Sequence, residues 1–133
     1  MHNFKELKVW QISRQLVKQI YELTTQFPSE EEYGLISQIR RCVVSIPTNI
    51  SEGCGRNTDK DFAHFLNISL GSAYELETLL TLSFDVNLIT ERQLNSNLFK
   101  NFRDSKNDFR LNQDVAPRVL CLTSCYLCQS INL

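Results

Sequence analysis

Four series of apolar residues recur every three or four positions along this chain, and no segment alternates polar and apolar residues well enough to make a strand. That periodicity restricts the chain to packed helices. The first series is Val9, Ile12, Leu16, Ile20, Leu23 and Phe27, with Lys5, Lys8, Arg14, Gln15, Lys18, Gln19 and Glu22 on the opposite side. Pro28 closes it, because a residue before proline avoids the helical region. The second follows Ser29-Glu30-Glu31-Glu32, a helix start in which Ser29 caps and Glu32 holds the capping-box position. It takes in Leu35, Ile39, Cys42 or Val43, Ile46 and Ile50, and Gly53 and Gly55 end it. Pro47 interrupts it by removing a donor and pressing on the carbonyl of Val43. The helix therefore kinks near Ile46, or restarts with Pro47 in a first turn.

Thr58 with Asp61, and Thr90 with Gln93, are two further capping boxes. Between them runs a core series of Phe62, Phe65 or Leu66, Ser69, Ala73, Leu76, Leu80 and Ser83. The small residues Ser69, Gly71, Ser72 and Ala73 allow a close helix approach. Phe65, Ile68, Leu79, Leu82 and Phe84 widen the apolar arc, so this helix is central or buried on two sides, one of them against a partner chain. The fourth series is Leu94, Leu98, Phe102 and Phe109. The expected fold is all-α: an antiparallel up-and-down four-helix bundle with helices near 4–27, 30–53, 58–86 and 90–110, the second kinked at Pro47. Short connections between consecutive helices make neighbours antiparallel. Trp10, Ile20, Leu35, Ile39, Ile46, Phe65, Leu66, Leu76 and Leu80 are the expected core.

A chain of 133 residues has room for one domain, and four Gly and three Pro are too few for a turn-rich sandwich or barrel. Residues 1–111 read as the bundle. Residues 112–133 form an atypical tail, where Pro117 is followed by the uncharged run VLCLTSCYLCQSINL. A shifted reading frame or a strain-specific ending accounts for that change in composition. The formal charge of −1 excludes a generally cationic nucleic-acid binder but leaves room for a local basic patch. No apolar run reaches the ~18–20 residues of a membrane span, and MHNFKELKVW is not a signal peptide. A cytoplasmic protein with free thiols and no membrane partner is expected. Cys42 and Cys54 read as small packing groups.

The chemistry-bearing residues concentrate between Ser37 and Lys60. Gln38, Ser45, Asn49 and Glu52 read as a polar network that supports the backbone around Pro47, with Arg41 paired to Glu52. The same segment also reads as a contact surface for a partner or for phosphates, made by Arg40, Arg41, Arg56 and Lys60. Cys121, Cys125 and Cys128 have the spacing of an iron–sulfur ligand set, but on a helix they share a face with Leu122 and Ile131, and the radical-enzyme context is absent. His2 and His64 have no cysteine or carboxylate cluster at ligand spacing, so no metal and no cofactor are expected. Ser45 has no base beside it, and Glu75 and Glu77 face different directions on a helix. The chain therefore reads as non-enzymatic, with no catalytic residue.

Three stretches, FKELKVWQISRQLVKQIYELTTQFP, YGLISQIRRCVVSIPTNISEGCGR and DFAHFLNISLGSAYELETLL, resemble the four-helix-bundle proteins encoded in 23S rRNA intervening sequences. The resemblance covers about residues 4–95. It is most specific at Gln38-x-Arg40-Arg41, at Ser45-Ile46-Pro47-x-Asn49-Ile50-x-Glu52-Gly53, and at Gly71-Ser72-x-x-Glu75-Leu76-Glu77. It implies an antiparallel bundle that assembles into a five-fold ring, a homopentamer, with no catalytic activity. A related branch, the accessory protein of diversity-generating retroelements, implies RNA or a reverse transcriptase as a further partner. Two readings follow. One is a ring-forming, RNA-associated bundle protein; the other is a protein–protein scaffold subunit without nucleic-acid contact. Exposure of Arg40, Arg41, Arg56 and Lys60 on one face favours the first, and internal pairing favours the second.

Overall fold

A computed structural model describes residues 3–96 and Lys100. Among these residues the chain is entirely helical and turn, with no strand. Helix α1 spans Lys8–Thr24, α2 Ser37–Cys54, α3 Asp59–Asp85 and the short α4 Glu91–Leu94. Helix α2 lies in the middle, packed on α1 at one side and most extensively on α3 at the other. The buried core is aliphatic, with Leu16, Ile20, Ile39, Val43 and Ile50 fully enclosed.

The helix starts show where local signals decided the structure. Thr58 accepts the backbone N–H of Asp61 at 3.1 Å, as the sequence predicts. Thr90 and Gln93 close a full reciprocal box, with Gln93 N–H donating to the Thr90 hydroxyl and Thr90 N–H to Gln93 Oε1. Helix α3 ends through Val86 with Asn87 at φ 61°, a left-handed position that asparagine tolerates. Leu88 N–H then returns to Ser83 O at 2.8 Å.

Two helices begin later than the apolar series suggests. Residues Phe4–Glu6 form a 3-10 turn capped by the Asn3 side chain, and Leu7 is extended, so α1 starts at Lys8. At the other end α1 stops at Thr24 rather than Phe27, although Phe27 remains buried. The expected helix from residue 30 is replaced by a 3-10 turn at Ser29–Glu31 and one wide turn at Glu32–Ile36. Gly34 sits there at φ −97°, ψ −116°, outside helical geometry. Ser29 and Glu32 do not make the expected box. The Glu31 carboxylate takes the capping role instead, accepting Leu35 N–H at 3.2 Å. Three consecutive acids offered the chain a choice of cap, and Gly34 set the register. Pro47 lies inside a continuous α2, so the helix does not restart there.

Of the expected core, Ile20, Ile39, Ile46, Leu66, Leu76 and Leu80 are buried. Trp10 and Leu35 are only half-buried at the core's edge, and Phe65 is half-buried as well. The α3 series Phe62, Leu66, Ser69, Ala73, Leu76, Leu80 and Ser83 faces inward, with Phe62 half-exposed at its start. Of the small residues of α3, Ser69 and Ser72 meet α2 directly through their hydroxyls and Ala73 is buried. Gly71 faces open space. Among the glycines the tight contact is at Gly53, buried inside the last turn of α2, where an added Cβ would stand 2.9 Å from both Phe62 Cδ2 and Phe65 Cβ. Helix α4 stops at Leu94 with Asn95 as its C-cap, so the expected helix over 90–110 is interrupted there; residues 97–99 and 101–133, with the tail and Cys121, Cys125 and Cys128, lie outside the described residues.

Candidate functional site at the second and third helices

Pro47 has no N–H, so the carbonyl of Val43 lacks its helical donor. The three carbonyls that follow each receive a side chain. Thr48 Oγ1 donates to Val44 O at 2.8 Å, Asn49 Nδ2 to Ser45 O at 2.8 Å, and Ser69 Oγ of α3 to Ile46 O at 3.1 Å. Asn49 Nδ2 also reaches Ser45 Oγ at 2.9 Å, which pairs with Ser72 Oγ of α3 at 2.9 Å. A continuous polar seam therefore joins the proline turn of α2 to α3. Its half-buried bonds exchange weakly for water, which makes the seam a specific lock between two otherwise aliphatic surfaces.

Ser45 and Asn49 belong to this network as expected. Gln38 is exposed and its side chain makes no hydrogen bond among the described residues. Arg41 and Glu52 do not pair. Eleven residues of helix separate them, roughly 16 Å of rise, too far for the two side chains to meet. Glu52 pairs one turn on with Arg56, an i,i+4 spacing that places both on one face. The sequence reading missed Ser69 and Ser72 as members of the lock. The signal was present: both are polar residues on the inward side of an apolar helix, and a buried hydroxyl there requires a partner.

The four candidate cations do not gather. Arg40 Nε donates to Thr24 Oγ1 at 2.9 Å, and its guanidinium lies 4.8 Å from the centre of the Tyr21 ring on α1. Arg56, besides its pair with Glu52, lies 4.5 Å from the Phe65 ring centre. Both are therefore held by packing and cation–π contact. Arg41 and Lys60 are exposed and form no ion pair among the described residues. Arg41 lies in the second turn of α2 and Lys60 in the first turn of α3, near the opposite end of α2.

Cys42 and Cys54 are buried free thiols. Burial, then a hydrogen bond to Glu75 and the charge of that carboxylate, push the Cys42 thiol up to about 12, with Arg41 opposing. Burial also raises Cys54. Both thiols stay protonated near neutral pH, which removes their nucleophilic form. The folded chain holds the Cys42 proton more tightly than the unfolded chain, so its contribution to stability is complete below pH 9. That contribution is lost as the pH climbs from 9 toward 12. Urea denaturation at pH 8 and pH 10 is expected to show the decline, and Cys42→Ser should flatten it. An unchanged pH slope in the serine variant contradicts the assignment.

Among the described residues no group of three histidines, cysteines or carboxylates is placed to hold a metal ion. No described helix is long and apolar enough to cross a membrane. What these residues define is an all-helical protein whose distinctive region is a polar lock between two helices. The chain belongs to the 23S rRNA-intervening sequence protein family, whose sequence model matches residues 5–107. No curated protein matches it with significance.

Proposed function

We propose that the chain is a non-enzymatic, cytoplasmic subunit of a homo-oligomeric ring that works through protein contacts in a ribonucleoprotein setting. Each subunit is an antiparallel four-helix bundle with α2 bent at Pro47. The observation that carries the reading is on α3. Ile68 and Leu82 on α3, and Val86 at its C-cap, remain 39%, 46% and 57% exposed, while the other side of the helix already fills the core. Apolar surface of that kind marks an interface when it is contiguous. The hydrogen bond from Gln93 Nε2 to Gln26 Oε1, at 3.1 Å, ties the start of α4 to the end of α1 and supports a fourth helix closing the bundle. Family membership supports the rRNA setting, and the resemblance selects a five-fold ring over a dimer. Light scattering on the full chain tests the assembly, and a monodisperse monomer would overturn it.

The scaffold reading, without nucleic-acid contact, is favoured by the cations, because Arg40 and Arg56 are already engaged within the chain. A titration with an rRNA fragment over a range of salt separates the two. If Arg41 and Lys60 alone meet phosphates, log K is expected to fall with log salt at a slope of about −1.4 to −1.8 per chain. No complex at low salt selects the scaffold, and a much steeper slope brings Arg40 and Arg56 back into the contact.

A further inference from the structure

From Glu32 to the start of α2 at Ser37, one residue departs from helical geometry. Gly34 stands at φ −97°, ψ −116°, whereas Glu32, Ile36 and Ser37 have helical torsions. Helix α2 begins without a side-chain cap. Upstream, Ser29 and Glu32 have the spacing of a capping box that is not used, and Ser29 Oγ donates to Glu30 Oε2 at 3.4 Å instead. The Glu31 carboxylate holds the break. It accepts Leu35 N–H at 3.2 Å, the donor that an unbroken helix pairs with Glu31 O. Its Oε2 lies 2.7 Å from where a Cβ on Gly34 would stand. The side chain thus takes the place of its own backbone carbonyl, in a space that only glycine leaves open.

The broken and unbroken arrangements are closely matched. Straightening passes Leu35 N–H from one Glu31 oxygen to another, so no hydrogen bond is lost. It also brings Ser29 to the N-cap with Glu32 three residues on, and sets Glu30, Glu31 and Glu32 in the first turn, at the positive end of the helix dipole. Against it stands the poor helix propensity of Gly34. A wide turn of this kind at a helix often marks a functional point. We propose that Gly34 is a hinge with two settings and that the Glu31 carboxylate is its latch. Latched, α2 starts at Ser37 and presents Tyr33 to solvent, 92% exposed. Unlatched, α2 runs unbroken from Glu30. Tyr33, seven residues before Arg40, then turns onto the side of α2 where Arg40 meets Thr24 of α1. Residues 25–28, outside both helices, absorb the change of direction. The setting decides whether the connection between α1 and α2 offers an aromatic side chain to a partner or withdraws it.

The test uses the full chain, with NMR Cα shifts and amide exchange over residues 29–37 and folding checked by circular dichroism. Gly34→Ala puts a Cβ where Glu31 Oε2 lies and adds the helix preference of alanine, so the unbroken setting should gain by about fivefold or more. The Cα shift at position 34 should become helical. Glu31→Ala removes only the latch. Leu35 N–H should stay protected, now bonded to the backbone carbonyl of residue 31, and position 34 should again move toward helix. In both variants nitration of Tyr33 by tetranitromethane should slow, while that of Tyr21 on α1 and Tyr74 on α3 stays as in the wild type. A folded Gly34→Ala chain that keeps a non-helical shift at position 34 overturns the hinge. Should that variant fail to fold, Glu31→Ala decides, because it only removes atoms from a half-exposed side chain. Fast exchange at Leu35 without a gain of helix in Glu31→Ala shows a carboxylate capping a fixed turn, and overturns the latch. Unchanged nitration of Tyr33 in variants that do turn helical overturns its withdrawal.

Discussion

Leu76→Ala is expected to lower the unfolding free energy by ~2–5 kcal/mol. Leu76 is 1% exposed and lies in the inward seam of α3, within the same aliphatic cluster as Ile39, Val43 and Ile46 of α2. Truncation removes the transfer energy of the lost carbons and leaves a cavity. The surroundings are poorly able to collapse into it, because the seam from Asn49 through Ser45 to Ser72 and the bond from Ser69 to Ile46 O fix the spacing of the two helices. For a domain whose total stability is about 5–15 kcal/mol, such a loss is a large fraction. Leu82→Ala on the same helix is the control. Leu82 is 46% exposed, and as an ordinary surface site its change should stay within about 0.5 kcal/mol in the isolated chain. Urea denaturation of both variants reads the difference. A cost below about 1 kcal/mol at Leu76 would show that the inward seam has been wrongly placed.

The same substitution at two glycines should have opposite signs. Alanine is favoured over glycine within a helix by about 1 kcal/mol, through backbone entropy. Gly71 lies in the interior of α3 with nothing within 4 Å of an added Cβ, so Gly71→Ala should stabilise by about that amount. At Gly53 the same methyl would stand 2.9 Å from Phe65 Cβ, well inside the ~3.5–4.0 Å optimum for carbon contacts. A Cβ is fixed to its backbone, so the first turns of α3 must shift away from α2. Overpacking of this kind costs ~1–3 kcal/mol, which exceeds the propensity gain at all but its lower limit. Gly53→Ala should therefore destabilise. Denaturation midpoints of equal sign for the two variants would refute the close approach at Gly53.

The residues that made the fold legible in the sequence acted locally. Thr58 and Thr90 cap their helices in the structure because the acceptor, the donor and the spacing all lie within four residues. The inward series of α3 was equally readable, since a heptad spacing fixes which residues share a face wherever the helix is placed. Local rules failed where several choices were nearly equal. Glu30, Glu31 and Glu32 each offered a carboxylate, and the turn through Gly34 gave the capping role to Glu31.

The functional segment was legible as a segment and not as a set of partners. Its polar character around Pro47 was plain from the sequence, and Ser45 and Asn49 do share a network. The assignment of Glu52 to Arg41 rested on spacing alone and overlooked the rise of the helix between them; Arg56, one turn away, forms that pair. Ser72 entered the network from another helix, where no spacing rule within α2 could reach it.

Sequence by itself determined the all-helical class, the third helix to within a residue at either end, and the caps at Thr58 and Thr90, because each follows from a period or a contact within one or two turns. Tertiary structure alone decided that Gly53, not Gly71, is packed against a neighbouring helix, and that Arg40 is engaged by Thr24 and Tyr21 while Arg41 forms no ion pair among the described residues. Neighbouring residues of one helix point about 100° apart. Which of two adjacent arginines meets another helix therefore depends on where that helix lies, a position fixed only when the apolar faces of all the helices are buried together.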